Sequence, residues 1–171
     1  MSIMKLRSIA SALFLLLLVA CLGLPPRPTS VKFFDADNKL VGFVDLIEIK
    51  GGVRFRVHTM GLPGGVRGFN VHASPTCEPP AFASAGAIFS GPAGSRDSIV
   101  PGNLPDITVG ATEWADTTFD WNHLELNDGA YGLFRNGGTS LVIAELPDVG
   151  SGGSASKRLA CGVVKERQEE R

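Results

Sequence analysis

Leu40-Val41-Gly42-Phe43-Val44-Asp45-Leu46-Ile47-Glu48-Ile49, then Lys50-Gly51-Gly52, then Val53-Arg54-Phe55-Arg56-Val57-His58: this stretch decides the fold class. Val53, Phe55 and Val57 alternate with Arg54, Arg56 and His58. A period of two puts the apolar side chains on one face and the charged ones on the other, as a half-buried strand requires. Gly51-Gly52 turns the chain, so Leu40–Ile49 is read as a long strand preceding it.

The same grammar continues on both sides. Val31–Phe34 precedes the turn cluster Asp35–Asn38. Gly61-Leu62-Pro63-Gly64-Gly65 is a further turn, and Arg67–Ala73 is strand-like. Ser74–Pro105 is rich in loop residues. Ile107–Ala111, Thr117–Leu126, Ser140–Ala144 and Leu159–Val164 bring the total to about eight short strands. Glycine (21) and proline (11) recur between them, and no long amphipathic helical period interrupts them. Two packed antiparallel sheets, or one closed sheet, bury such strands.

The N-terminus reads as an address. Lys5 and Arg7 precede an apolar run from Ile9 to Val19. That run has the length of a signal-peptide core and is short for a membrane span. Met4-Lys5-Leu6-Arg7 has the same layout, so Met4 is an alternative start. The segment ends Leu18-Val19-Ala20-Cys21, which resembles the bacterial lipobox. On that reading residues 1–20 are a lipoprotein signal peptide and Cys21 carries the lipid. Acyl chains contribute about 0.8 kcal/mol per buried CH₂, and several together anchor stably. Residues 21–30 then form the lipidated cysteine and a Pro-rich tether. The alternative is an ordinary secretory signal with an incidental cysteine. The expected location is exported and lipid-anchored to a bacterial membrane, on its periplasmic side or at the cell surface.

Three cysteines are an odd number for an exported chain. With Cys21 lipidated, Cys77 and Cys161 remain, and an oxidising compartment favours a disulfide between them. The net charge is −1 and no basic run has the density of a nucleic-acid surface, so nucleic acid is set aside. No HExxH, GxSxG, CxxC or phosphate-binding glycine loop is present. The charge run Lys165–Arg171 reads as a solvated tail.

From Val31 to Val164 the ordered blocks resemble the copper/zinc superoxide dismutases. The blocks are Phe34-Asp35-Ala36-Asp37, Gly51-Gly52-Val53-Arg54, Gly61–Gly65 leading into Arg67-Gly68-Phe69-Asn70-Val71-His72, Ala83–Ala87, Gly102-Asn103-Leu104-Pro105-Asp106-Ile107, Ser140–Ile143, and Lys157-Arg158-Leu159-Ala160-Cys161-Gly162-Val163. The resemblance implies an all-β domain over residues 31–164. Its fold would be an eight-stranded antiparallel Greek-key β-barrel or sandwich. It also implies the Cys77–Cys161 disulfide and assigns Arg158 to the family's channel arginine, which guides the anion and braces the loop near the disulfide.

The family's metal ligands are another matter. Copper is held by four histidines and zinc by three histidines and an aspartate, one histidine bridging. At the matching positions this sequence has Asn70, His72, Ile88, Asn103 and Ala144, and the loop Phe89–Gly102 contains no histidine. His72 is the one residual ligand position. Copper(II) prefers several imidazoles in tetragonal geometry, which one histidine cannot supply. The stretch Val149–Lys157 (VGSGGSASK) is short where the family carries an anion-steering loop.

The remaining candidates have ordinary readings beside functional ones. His72 is either a relic ligand or a hydrogen-bonded structural histidine. His58 is expected to face solvent. His123, beside Asp120 and Trp121, is a candidate surface metal or contact site. Asp148 matches an aspartate that orients metal-bound histidines, or is a turn residue. Trp114, Phe119 and Trp121 are either a partner surface or hairpin packing, with packing favoured. The expected function is that of a non-catalytic envelope binding or structural module with no cofactor. Weak copper or zinc binding and a divergent superoxide dismutase are the alternatives. Expected partners are the membrane, through the lipid anchor, an envelope protein, and a second copy in a homodimer.

Overall fold

The computed structural model describes residues 28–92, 99–147 and 156–166. The signal, Cys21, most of the tether, Asp148 and most of the charged tail lie outside the described residues. The described chain forms eight strands: β1 (Thr29–Asp35), β2 (Leu40–Ile49), β3 (Gly52–Met60), β4 (Gly65–His72), β5 (Ile107–Val109), β6 (Trp114–Trp121), β7 (Thr139–Ala144) and β8 (Arg158–Val164). All neighbours are antiparallel, in the order β5-β4-β7-β8-β1-β2-β3-β6. The two outermost strands, β5 and β6, are consecutive in the chain. The tight turn between them, with Gly110 N–H donating to Trp114 O at 2.8 Å, brings the ends of the sheet together into a nearly closed barrel.

The opening stretch behaves as its alternation requires. β2 has the predicted bounds and pairs with β3 from Gly42↔Thr59 to Ile49↔Gly52. Val53, Phe55 and Val57 are fully buried, while Arg54, Arg56 and His58 face outward. Inside the barrel Phe55 stacks on Phe119 (centroids 5.2 Å apart) and meets Phe69 edge-on at 6.3 Å. Burying a side chain of this size stabilises by roughly 1.5–3 kcal/mol.

Four strand readings need correction. β4 starts at Gly65, the last residue read as turn, and ends at His72 rather than Ala73, and β5 stops at Val109 rather than Ala111. β1 starts at Thr29, so the strand takes up the last two residues read as tether. β6 runs over Trp114–Trp121, starting and ending earlier than the expected Thr117–Leu126. Leu124 is apolar and buried but comes from the following loop, where it joins the main core. That contribution extended the apparent strand pattern.

On the outer face, Arg54 Nε and Nη2 donate to the two carboxylate oxygens of Asp120 at 2.6 and 2.8 Å. The hydrogen bond from Arg54 is the main cause that holds the Asp120 carboxyl below its ordinary range. A depressed carboxylate contributes stability above its unfolded-state pKa, and loses it as pH falls through the folded-state value. An Asp120→Asn variant is therefore expected to unfold at slightly lower urea than the parent at neutral pH. The difference should vanish below the carboxylate range, and urea titrations at both pH values check this. The pair is solvent-exposed, so the effect is small.

Candidate functional site: the outer face of β4 and β7

β4 and β7 differ from the other strands because they are covered on both sides. All six residues of β7 and the last five of β4 are buried. Phe69, Val71, Leu141 and Ile143 fill the barrel. Gly68, Asn70, His72, Ser140, Val142 and Ala144 therefore point outward, beneath connecting segments. The register pairs Gly68 with Ala144, Asn70 with Val142 and His72 with Ser140.

The long β4–β5 connection supplies the other flank. Isolated antiparallel bridges join Asn70 to Asn103 and His72 to Ile88. Phe89 N–H donates to Val71 O, and Val71 N–H donates to Gly102 O, both at 2.8 Å. Glycine is required at 102 because a Cβ there would sit 2.6 Å from Val71 O and 2.7 Å from Phe89 O. Antiparallel partners share a face. The five residues singled out in the sequence, Asn70, His72, Ile88, Asn103 and Ala144, are thus brought to one patch.

His72 is 5 % exposed and its Nδ1 lies 2.8 Å from Gly86 O. A carbonyl only accepts, so Nδ1 carries the hydrogen of this bond. Arg158 reaches the same carbonyl: Nη2 donates to Gly86 O at 2.9 Å and Nη1 to Phe82 O at 2.5 Å. Burial pushes the Arg158 guanidinium below its ordinary pKa. Arg158 therefore braces the loop that holds His72. The Cys77–Cys161 disulfide, with Cα atoms 5.7 Å apart, ties that loop to β8. Phe82, Ala85, Val142 and Cys161 form a second small core around it.

Two features of this patch had no clear signal in the sequence. Ser140, opposite His72, is fully buried, and its hydroxyl has no protein hydrogen-bond partner; neither does Asn103 Oδ1. The Gly86 carbonyl, which collects both His72 and Arg158, is a backbone atom that no motif announces.

The other candidates lie elsewhere. His58 is half-buried on the outside of β3. Its ring packs at a tilt against Phe43 with centroids 4.8 Å apart, and Nδ1 lies 3.5 Å from Asp116. It is therefore less open to solvent than its place in the alternation predicts. His123 packs edge-on against Trp121 at 5.0 Å. The aromatic trio divides. Phe119 packs in the barrel core, and Trp121 is half-buried with its indole N–H donating to Pro101 O at 2.8 Å. Trp114 is exposed.

A family model described as copper/zinc superoxide dismutase matches residues 40–164. The chain belongs to the copper/zinc superoxide dismutase family. It is 30 % identical over 145 residues to superoxide dismutase [Cu-Zn] 2 of Aquifex aeolicus, covering 78 % of this chain and 84 % of that protein. Against the superoxide dismutase [Cu-Zn] of Deinococcus radiodurans it is 29 % identical over 167 residues, 86 % of this chain and 90 % of the relative. Among solved structures, a double mutant of a SOD-like protein from Bacillus subtilis superposes with TM-score 0.71 at 25 % identity, covering 80 % of this chain and 97 % of the other. The fold expectation is met.

The family implies copper and zinc, and the residues present do not fit either ion. Zinc takes four nitrogen, sulfur or carboxylate ligands, and copper(II) takes several imidazoles. This patch offers one imidazole, two neutral amides, a hydroxyl and two aliphatic side chains. The chain has three histidines, and the other two lie on β3 and in the loop after β6, packed against Phe43 and Trp121. Among the described residues, no group of three or more His, Cys, Asp or Glu is placed to hold a metal.

Proposed function

We propose that this protein is a non-catalytic member of its family, exported and anchored through lipid on Cys21, that acts as an envelope binding or structural module. One observation carries the reading: the former ligand positions converge on one face, and only His72 among them is an imidazole. A redox cycle on superoxide needs one ion held in two oxidation states. A single imidazole beside Ile88 and Ala144 cannot hold it that way. Arg158 has a second duty, bracing the Phe82 and Gly86 carbonyls, that does not depend on catalysis.

The test is to load the purified protein with copper and zinc and to measure bound metal and superoxide loss on the same sample. The expected result is less than one metal per chain and no loss above the buffer rate. One copper per chain with rapid turnover would establish a divergent dismutase instead. Metal without turnover would favour weak copper or zinc binding at His72. That second reading draws on the Gly86 carbonyl, which holds the Nδ1–H, so that in a neutral ring Nε2 is the basic nitrogen.

A further inference from the structure

We propose that the outer face shared by β1, β2, β3 and β6, at the end that carries the β1–β2 turn, docks a protein whose contact patch is apolar at its centre and edged by lysine and arginine. Of the eight large apolar side chains most exposed among the described residues, five fall here: Phe34, Leu40, Phe43, Met60 and Trp114. Register brings them together. Phe34 pairs with Leu40 across β1 and β2, and Met60 pairs with Trp114 across β3 and β6. Phe43 lies one row away on the same face, packed against His58. The Lys39 side chain lies over Gly61, which connects the Leu40 edge to the Met60 edge.

Scattered exposed apolar residues are ordinary, whereas a contiguous group marks an interaction surface. Trp114 is 56 % exposed and joins no core cluster. Tryptophan is also the side chain most often found at the energetic centre of an interface.

The surrounding charge selects the occupant. Asp35 ends β1 and Asp37 lies in the β1–β2 turn, Glu113 precedes Trp114, and Asp116 lies two residues along the same face. Among the described residues Lys32 and Lys39 stand against them, and one row further along Arg56 is matched by Asp45 across from it. A two-fold pair of copies would appose two faces of the same net acidic charge. An anionic bilayer would repel them as well. A partner with a basic rim gains on both counts. In the nearly closed barrel β8 and β5 separate these four strands from β7 and β4, so the inference is independent of the reading of the metal positions.

The probe is a synthetic amphipathic helix of leucine and lysine, titrated calorimetrically into the purified protein, with a leucine–glutamate helix as control. Binding of the lysine peptide alone is expected, weakening as salt is added. Met60→Ser with Trp114→Ser should weaken it by roughly tenfold or more through lost apolar contact. Asp116→Asn with Glu113→Gln should weaken it through lost charge. All four side chains lie on the surface, and a melting temperature measured alongside confirms that each variant is folded. Equal binding of both peptides, or indifference to the four substitutions, would overturn the proposal. So would self-association, or binding to phosphatidylglycerol vesicles, that is lost in the Met60 and Trp114 variant, because the face would then serve a second copy or a bilayer.

Discussion

Replacing Asn70, Ile88 and Ala144 together by histidine is expected to convert a protein that takes up little copper into one that binds a full equivalent. The geometry is already in place. Positions 70 and 72 are two apart on β4 and so share its outer face. Position 144 lies on β7 diagonally across from 70, and position 88 bridges to 72 from the other flank. Four imidazoles would then converge where one stands now. His72 is already oriented by its bond to Gly86, a support that ligating histidines commonly need. Asn70 and His72 are buried, so part of the desolvation that a metal site requires is already provided. Copper content and the paramagnetic resonance spectrum of the triple variant check this, with coupling to four nitrogens expected. The single variants should fall far short, because copper(II) needs the set rather than any one ligand. Failure of the triple variant to bind, while folded, would mean that the shared face is not the ancestral copper face.

The second large effect concerns stability. Cys77→Ser is expected to cost about 4 kcal/mol, since the disulfide closes a loop spanning 84 residues of sequence. For a domain of this size that corresponds to a fall of roughly 10–20 °C in melting temperature. The consequence reaches beyond entropy. The freed segment carries the Phe82 and Gly86 carbonyls, so Arg158 and His72 lose their common acceptor. Phe82, Ala85 and Val142 lose the clamp on their small core. Scanning calorimetry measures the shift, and amide exchange around Gly86 reports the release. Cys21→Ser serves as control and should leave the melting temperature unchanged. A Cys77→Ser shift under about 2 °C would mean that the clamp contributes little.

Much of this architecture is legible along the chain, for physical reasons that vary by strand. β3 announces itself because one face is wet and charged while the other fills the barrel. β7 carries the short apolar run Leu141–Ala144 after Thr139 and Ser140, and it is buried on both faces. β6 is harder. Its Trp114 follows a turn at Glu113, which has φ 61, and Leu124 beyond its end is drawn into the core from a loop. Parity could have separated the aromatic trio: Phe119 and Trp121 share a face, and Trp114 is on the other.

The candidate site was legible through likeness to a family and not through periodicity. Nothing in the spacing of Ile88 and Asn103 says that they bridge to His72 and Asn70. Those pairings depend on a long connection folding back along β4, with Gly102 allowing the close approach. The double use of the Gly86 carbonyl is equally invisible, since backbone acceptors carry no residue signature. The disulfide was accessible by counting cysteines, and the structure joins Cys77 to Cys161.

The most direct test is the metal state of the protein taken from its native cells without added ions. Elemental analysis and paramagnetic resonance should find no copper held by four nitrogen donors. One copper per chain with that four-nitrogen signature would contradict the central claim that the outer face of β4 and β7 has lost the means to hold a redox ion.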